Sequence, residues 1–154
     1  MTRTEAKAEA LREAGASHVI VTENEDVAQA VLKITDQRGA RVIFDAVGGR
    51  AFPSLVAAAA AEGIILVYGV LSKEENIFPA IQALRKQLTI RGTAATAILQ
   101  NDVKLEALTS YVTSGLKSGE LRPTIAKAFP FDRIADAHRY IESGEQFGKV
   151  VLTV

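Results

Sequence analysis

The sequence has no cysteine and no tryptophan, only two histidines, and equal numbers of basic and acidic residues, 18 of each. Without cysteine there is no disulfide, no thiolate zinc site and no cysteine nucleophile. His18 and His138 lie far apart with no ligand-spaced partners, so the chain is expected to hold no metal of its own, and both histidines read as structural. A net charge of zero leaves no basic excess to meet nucleic acid or an anionic membrane surface. No apolar run approaches the roughly 20 residues that cross a bilayer. The opening residues are polar and charged, unlike a secretory leader, which favours a cytoplasmic protein. There is no G-x-G-x-x-G, no Ser-His-Asp set and no paired-carboxylate signature, so no residue is assigned a catalytic role.

What is present is the composition of a globular protein: 154 residues, 48% of them hydrophobic and 23% charged, enough for one sizeable core. Thr4 is placed to cap a helix over residues 5–14 that Gly15 stops. "HVIV" (18–21) reads as a buried strand, and 26–35 as an amphipathic helix with Val27, Ala30, Val31 and Ile34 on one face. "RVIFDAV" (41–47) is a second strand, closed by Gly48 and Gly49. An alanine-rich helix over 55–61, ended by Gly63, precedes a third strand, "GIILVYG" (63–69). A shorter helix near 79–86 leads into a fourth, "LTIRG" (88–92). These strands are continuous apolar runs, the pattern of parallel strands buried on both faces. The fold class is therefore α/β, a doubly wound parallel sheet. After Thr93 the pattern changes to a long helix over 102–116, a proline-marked segment "LRPTIAKAFPF", a helix over 134–141 and a last strand "GKVVLTV". That order does not read as a continued βα alternation.

A helix running straight into a strand is ordinarily the second half of a βαβ unit, yet only residues 1–4 precede this helix. The stretches "TRTEAKAEALREAGASHVI", "VIFDAVGG", "GIILVYGVL", "LTIRGT" and "FPFDRIADAHRYIESGEQFGKVVLTV", in that order and together covering nearly the whole chain, resemble the medium-chain dehydrogenase/reductase family. This family holds the zinc-type alcohol dehydrogenases and the zinc-free quinone oxidoreductases. The resemblance implies the C-terminal half of such an enzyme: an incomplete Rossmann-like sheet without its first two strands and glycine-rich loop, over residues 1–120, and a segment returning to the catalytic domain over 121–154. The absent strands would lie mid-sheet, so "HVIV" and "RVIFDAV" are expected to close up or to pair with a partner.

Arg3 and Lys7 stand at i and i+4 in the first turn of a helix, where the macrodipole disfavours cations, and neither has an acidic residue three or four positions away. A bound anion would explain them, and so would plain solvated charge. The resemblance places the cofactor's adenosine ribose here. It implies that Thr2, standing where NAD-preferring members carry an acid, works with Arg3 and Lys7 to favour NADPH over NAD. It further implies that Val47 and Gly48 pack near the cofactor, with Asp45 a structural group. Tyr68, Gly69, Val70, Thr93 and Ala94 would lie beside the nicotinamide, and Lys149 would reach the pyrophosphate. Each has a plainer reading: a glycine turn for Gly48 and Gly49, a core aromatic for Tyr68, an edge-strand lysine for Lys149.

The implied function is NADPH-dependent reduction of a carbonyl or quinone, with no turnover expected from these residues alone. The Thr2-Arg3 start leans towards the zinc-free branch. The alternative is a non-catalytic binding or dimerisation module, since family members commonly form homodimers through the edge strand that Gln87 to Gly92 (QLTIRG) would make. A stand-alone flavodoxin-like domain is a third reading, which "FPFDRIADAHRYIESG" opposes.

Overall fold

The computed structural model describes residues 1–154. The chain divides into two compact units, Met1–Asp102 and Val103–Val154.

In the first unit a turn of 3-10 helix, Glu5–Lys7, runs into α1 (Ala8–Glu13). Thr4 is extended at the N-cap position, but its side chain makes no capping bond. Gly15 does end the helix: at φ 102° its N–H donates to Arg12 O and that of Ala16 to Leu11 O, the paired bonds of a left-handed helix stop. The expected strand 18–21 is not formed. Ile20 and Val21 are buried, yet the segment makes only one isolated parallel bridge, Val21 to Thr2. Burial asks only for apolar side chains, whereas a strand needs a neighbour along its length, and here only Thr2 pairs with the segment.

α2 (Val27–Ile34) is capped by Asp26, whose Oδ1 accepts from Gln29 N at 2.8 Å. β1 (Ala40–Asp45), β2 (Ala59–Val67) and β3 (Thr89–Gly92) then form a parallel sheet in the order β1-β2-β3, linked by α3 (Phe52–Ala58) and α4 (Ala80–Arg85). The sequence places the third helix over 55–61, but α3 ends at Ala58 and the remaining alanines begin β2. Alanine favours helix. What stops it is Lys86, whose Nζ donates to the carbonyls of Val56, Ala57 and Ala59 at 3.1, 2.6 and 2.7 Å. An ammonium on the last carbonyls of a helix meets the negative end of its dipole. Burial pulls the Lys86 ammonium below the ordinary lysine value. Gly63, read as the helix stop, lies inside β2 at an irregular register: Ala40 opposes Ala59, but Val42 opposes Ile64.

The core lies on one face of this sheet. Phe52, Leu55 and Val56 of α3 and Ala83 of α4 pack on Ile65 and Ala59, with Val27, Ile43, Val67, Leu88 and Ile90 against them. Each large side chain so buried stabilises the unit by roughly 1.5–3 kcal/mol. The other face is bare, contrary to the expectation of burial on both: Val42 is 46% and Phe44 68% exposed. The far edge of β1 has no neighbouring strand, and residues 18–21 do not close onto it.

After β3 comes a single turn, α5 (Thr96–Leu99), unread in the sequence. The second unit carries α6 (Asp102–Ser118), β4 (Ile125–Pro130), α7 (Ile134–Ser143) and β5 (Lys149–Thr153). β4 and β5 pair in parallel as a separate two-stranded sheet, so the tail does contain a β-α-β unit after all. Phe129 and Ala137 are its buried centre, with the Tyr140 ring 6.0 Å from that of Phe129. Gly144 ends α7 in the left-handed conformation.

Candidate functional site at the strand ends

The register sets Asp45, Val67 and Gly92 side by side at the C-terminal ends of the three strands. In open parallel sheets this is the edge where ligands bind. Tyr68 N donates to Asp45 O at 2.8 Å and Thr93 N to Val67 O at 2.9 Å, so residues 45–48, 68–70 and 93–94 follow one another along a ledge.

Asp45 is the one buried charged residue. Its Oδ1 accepts from Val47 N at 2.9 Å and Gly48 N at 3.0 Å, which holds the turn after β1. Its Oδ2 is buried and has no partner. Gly48 and Gly49 both have positive φ, 67° and 68°, which glycine alone adopts without strain. A Cβ on Gly48 would sit 2.5 Å from Asn76 Oδ1, which itself accepts from Gly49 N at 2.7 Å. The loop 72–76 thus closes over this turn. Gly69 is pressed in the same way, with a Cβ there meeting Ala46 O at 2.7 Å.

Beside this turn lies a cavity of about 580 Å³, lined by Thr2, Arg3, Thr22, Val27, Asp45, Val47 and Ser54 among others. That volume falls within the roughly 300–1,000 Å³ of small-molecule sites. The N-terminus of α2 opens on the cavity but is filled by its own cap, Asp26, while the neighbouring Glu25 accepts from Val21 N at 2.7 Å. The structure therefore brings together three of the expected cofactor residues, Thr2, Arg3 and Val47, around one cavity. Lys7 ends the 3-10 turn and is not among the lining residues. Gly48 is buried in its turn; Tyr68 and Val70 stand exposed past β2, as does Ala94 past β3. Lys149 is the first residue of β5 in the second unit.

Two partners escaped the sequence reading. Arg3 Nε lies 3.8 Å from Glu23 Oε1, a tertiary ion pair that inspection of helical spacing does not find. Both groups are largely exposed, so the pair contributes less than about 1 kcal/mol. Asn76, which closes the glycine turn, lies 27 residues from Gly49. Only the three-dimensional return of the loop after β2 reveals it.

The lining combines the Arg3 guanidinium and the hydroxyls of Thr2, Thr22 and Ser54 with the carboxylates of Glu25, Asp26 and Asp45 and the apolar side chains of Val27, Val47 and Leu55. Zinc does not fit: there is no cysteine, and no three histidine or acidic side chains converge.

A parallel sheet with crossover helices and a cavity at its strand ends defines an α/β class of protein. The family model of zinc-binding dehydrogenases matches residues 14–152, and the chain belongs to that family. It is 28% identical over 151 residues to a 2-haloacrylate reductase of Burkholderia sp, covering 97% of this chain and 45% of that one. It is 32% identical over 146 residues to a quinone oxidoreductase-like protein 2 homolog of Nematostella vectensis, at 92% and 40% coverage. Among solved structures, an NAD-dependent alcohol dehydrogenase superposes with a TM-score of 0.82 at 26% identity, covering 98% of this chain and 42% of that one. The chain spans about half the length of the relatives it matches. The expected medium-chain dehydrogenase/reductase membership and the α/β class with parallel sheets therefore hold. No helix is long and apolar enough to cross a membrane.

Proposed function

We propose that the chain is the cofactor-binding half of an NADPH-dependent oxidoreductase that reduces a small carbonyl, enone or quinone in the cytoplasm. Residues 1–120 form the nucleotide-binding part, and 121–154 the segment that returns to a catalytic domain. The observation that carries the reading is the meeting of Thr2, Arg3 and Val47 around one cavity at the strand ends. Arg3 would hold the 2′-phosphate of the adenosine ribose by a charge-assisted contact, and Thr2 leaves room for it where an acid would repel it. Lys7, outside the lining of that cavity, is offered as a second cation for that end only through the family resemblance. Val47 and Gly48 pack along the cofactor, and the ledge of Tyr68, Gly69, Val70, Thr93 and Ala94 carries main-chain groups towards the nicotinamide. A bound nicotinamide supplies the hydride; the residues of this chain position it and exclude water.

Titration of the 154-residue chain with NADPH and NADH, followed by nicotinamide fluorescence, tests the proposal. We expect NADPH to bind more tightly, and Arg3→Ala to weaken NADPH by about tenfold, the value of one charged hydrogen bond, with NADH unchanged. Equal affinities for both cofactors, or an Arg3→Ala variant with unaltered NADPH affinity, would remove the 2′-phosphate assignment. No turnover is expected from the chain alone.

A second reading has its own support: β3 is an end strand of the sheet, so its outer edge is available for a second copy to extend the sheet from Gln87 to Gly92. Sedimentation of the chain against an Ile90→Pro variant separates a homodimer built this way from a monomer.

A further inference from the structure

Three acidic residues follow the buried pair Ile20–Val21 in the stretch "ENED", and two of them have main-chain tasks. Glu25 accepts from Val21 N and Asp26 caps α2. Glu23 is different: its carboxylate is turned to Arg3, 3.8 Å from Nε. The juxtaposition is fixed by the backbone. Thr2 N donates to Ile20 O at 3.0 Å, Thr22 N to Thr2 O at 2.9 Å and Glu23 N to Arg3 O at 3.2 Å, so the two segments run alongside one another and Glu23 leaves the chain next to Arg3. A carboxylate anchored beside the cation of the cavity does two things to an incoming anion. It occupies the guanidinium that a phosphate would take, and it repels the phosphate itself.

We infer that Glu23 is a specificity-determining residue of this site, an internal competitor for Arg3 that lowers the discrimination between a 2′-phosphorylated and an unphosphorylated adenosine. The inference rests on the cofactor reading above. Glu23 acts on the 2′ position alone: a ligand with a free 2′-hydroxyl loses nothing to it and can donate to it. The weak, exposed geometry of the ion pair sets the size of the effect at a few-fold in affinity.

The probes are adenosine 2′-monophosphate and adenosine 5′-monophosphate, titrated into the ¹⁵N-labelled 154-residue chain and followed through the amides of Arg3, Thr22 and Val47. Glu23→Gln is nearly isosteric and keeps the main-chain bond to Arg3. It is expected to tighten the 2′-monophosphate by about two- to fivefold, to leave the 5′-monophosphate unchanged, and to lose its effect in an Arg3→Ala background. If both nucleotides bind but the substitution moves them equally, or if the gain survives without Arg3, Glu23 acts only as diffuse charge and the inference is overturned while the cofactor reading stands. If neither nucleotide shifts those amides in any variant, the cofactor reading falls and this inference with it.

Discussion

The two faces of the first sheet are made of the same kinds of residue and meet opposite fates. Ile43, Ile65, Val67 and Ile90 point to α3 and α4 and share the core with Phe52 and Val56. Val42 and Phe44, one residue out of step with Ile43, stand 46% and 68% exposed, with Ile64 and Leu66 half-buried beside them. A strand written as an unbroken apolar run is suited to cover on both sides. Here only one side has it. An apolar face left bare on a sheet with an unpaired edge is the kind of surface that another segment or another molecule covers.

The contrast is sharpest in a pair of truncations. Phe52→Ala removes a fully buried ring and should cost about 3–5 kcal/mol in chemical denaturation, enough to unfold the first unit. Phe44→Ala should stay within about 0.5 kcal/mol of the parent, while Val42→Ser with Phe44→Ser lowers the binding of a hydrophobic dye. A Phe44→Ala variant as damaged as Phe52→Ala would show that the bare face is covered in solution.

Next in size is Lys86→Met, which keeps the aliphatic stem but leaves three carbonyls at the end of α3 without their donor. Loss of about 2 kcal/mol is expected, and Lys86→Arg should recover part of it. Equal stability of the Met variant would mean that water serves those carbonyls as well as the ammonium does.

The smallest effect belongs to the second unit, where charge at the surface stands in for a broad core. The Arg133 guanidinium, helped by Arg139, holds the Asp136 carboxyl below the ordinary aspartate range. A carboxyl depressed in the folded state favours folding above its unfolded value, near pH 4, and the contribution is lost as pH falls through the folded value. Carboxyl NMR should therefore show Asp136 titrating below the other exposed aspartates. Asp136→Asn should remove its share of the acid sensitivity and change little at neutral pH.

Legibility in the sequence followed how far away the deciding contact lies. β1, β3, α6 and α7 were readable because their own residues carry the pattern, and Gly15 and Gly144 punctuate helices as glycine does. The end of α3 was misplaced because its cap comes from Lys86, 27 to 30 residues downstream. β4 was hidden because Lys127 and the flanking prolines break its apolar run, and residues 18–21 looked like a strand because burial and pairing leave the same trace in a sequence. Of the candidate site, Thr2, Arg3 and Val47 are nominated by family resemblance, and all three line one cavity. Glu23 and Asn76 were invisible, since each acts across a fold contact and neither belongs to a motif.

The lysine at the end of α3 also bears on the order of events in folding. Residues 57–61 are five alanines, as content to extend a helix as to begin a strand. In the folded chain they are held by an ammonium that follows β2 in sequence, carried at the end of α4. Until that contact forms, helix and strand compete for the same residues, and β2 has no fixed starting register against β1. In that short run local preference and the final structure disagree.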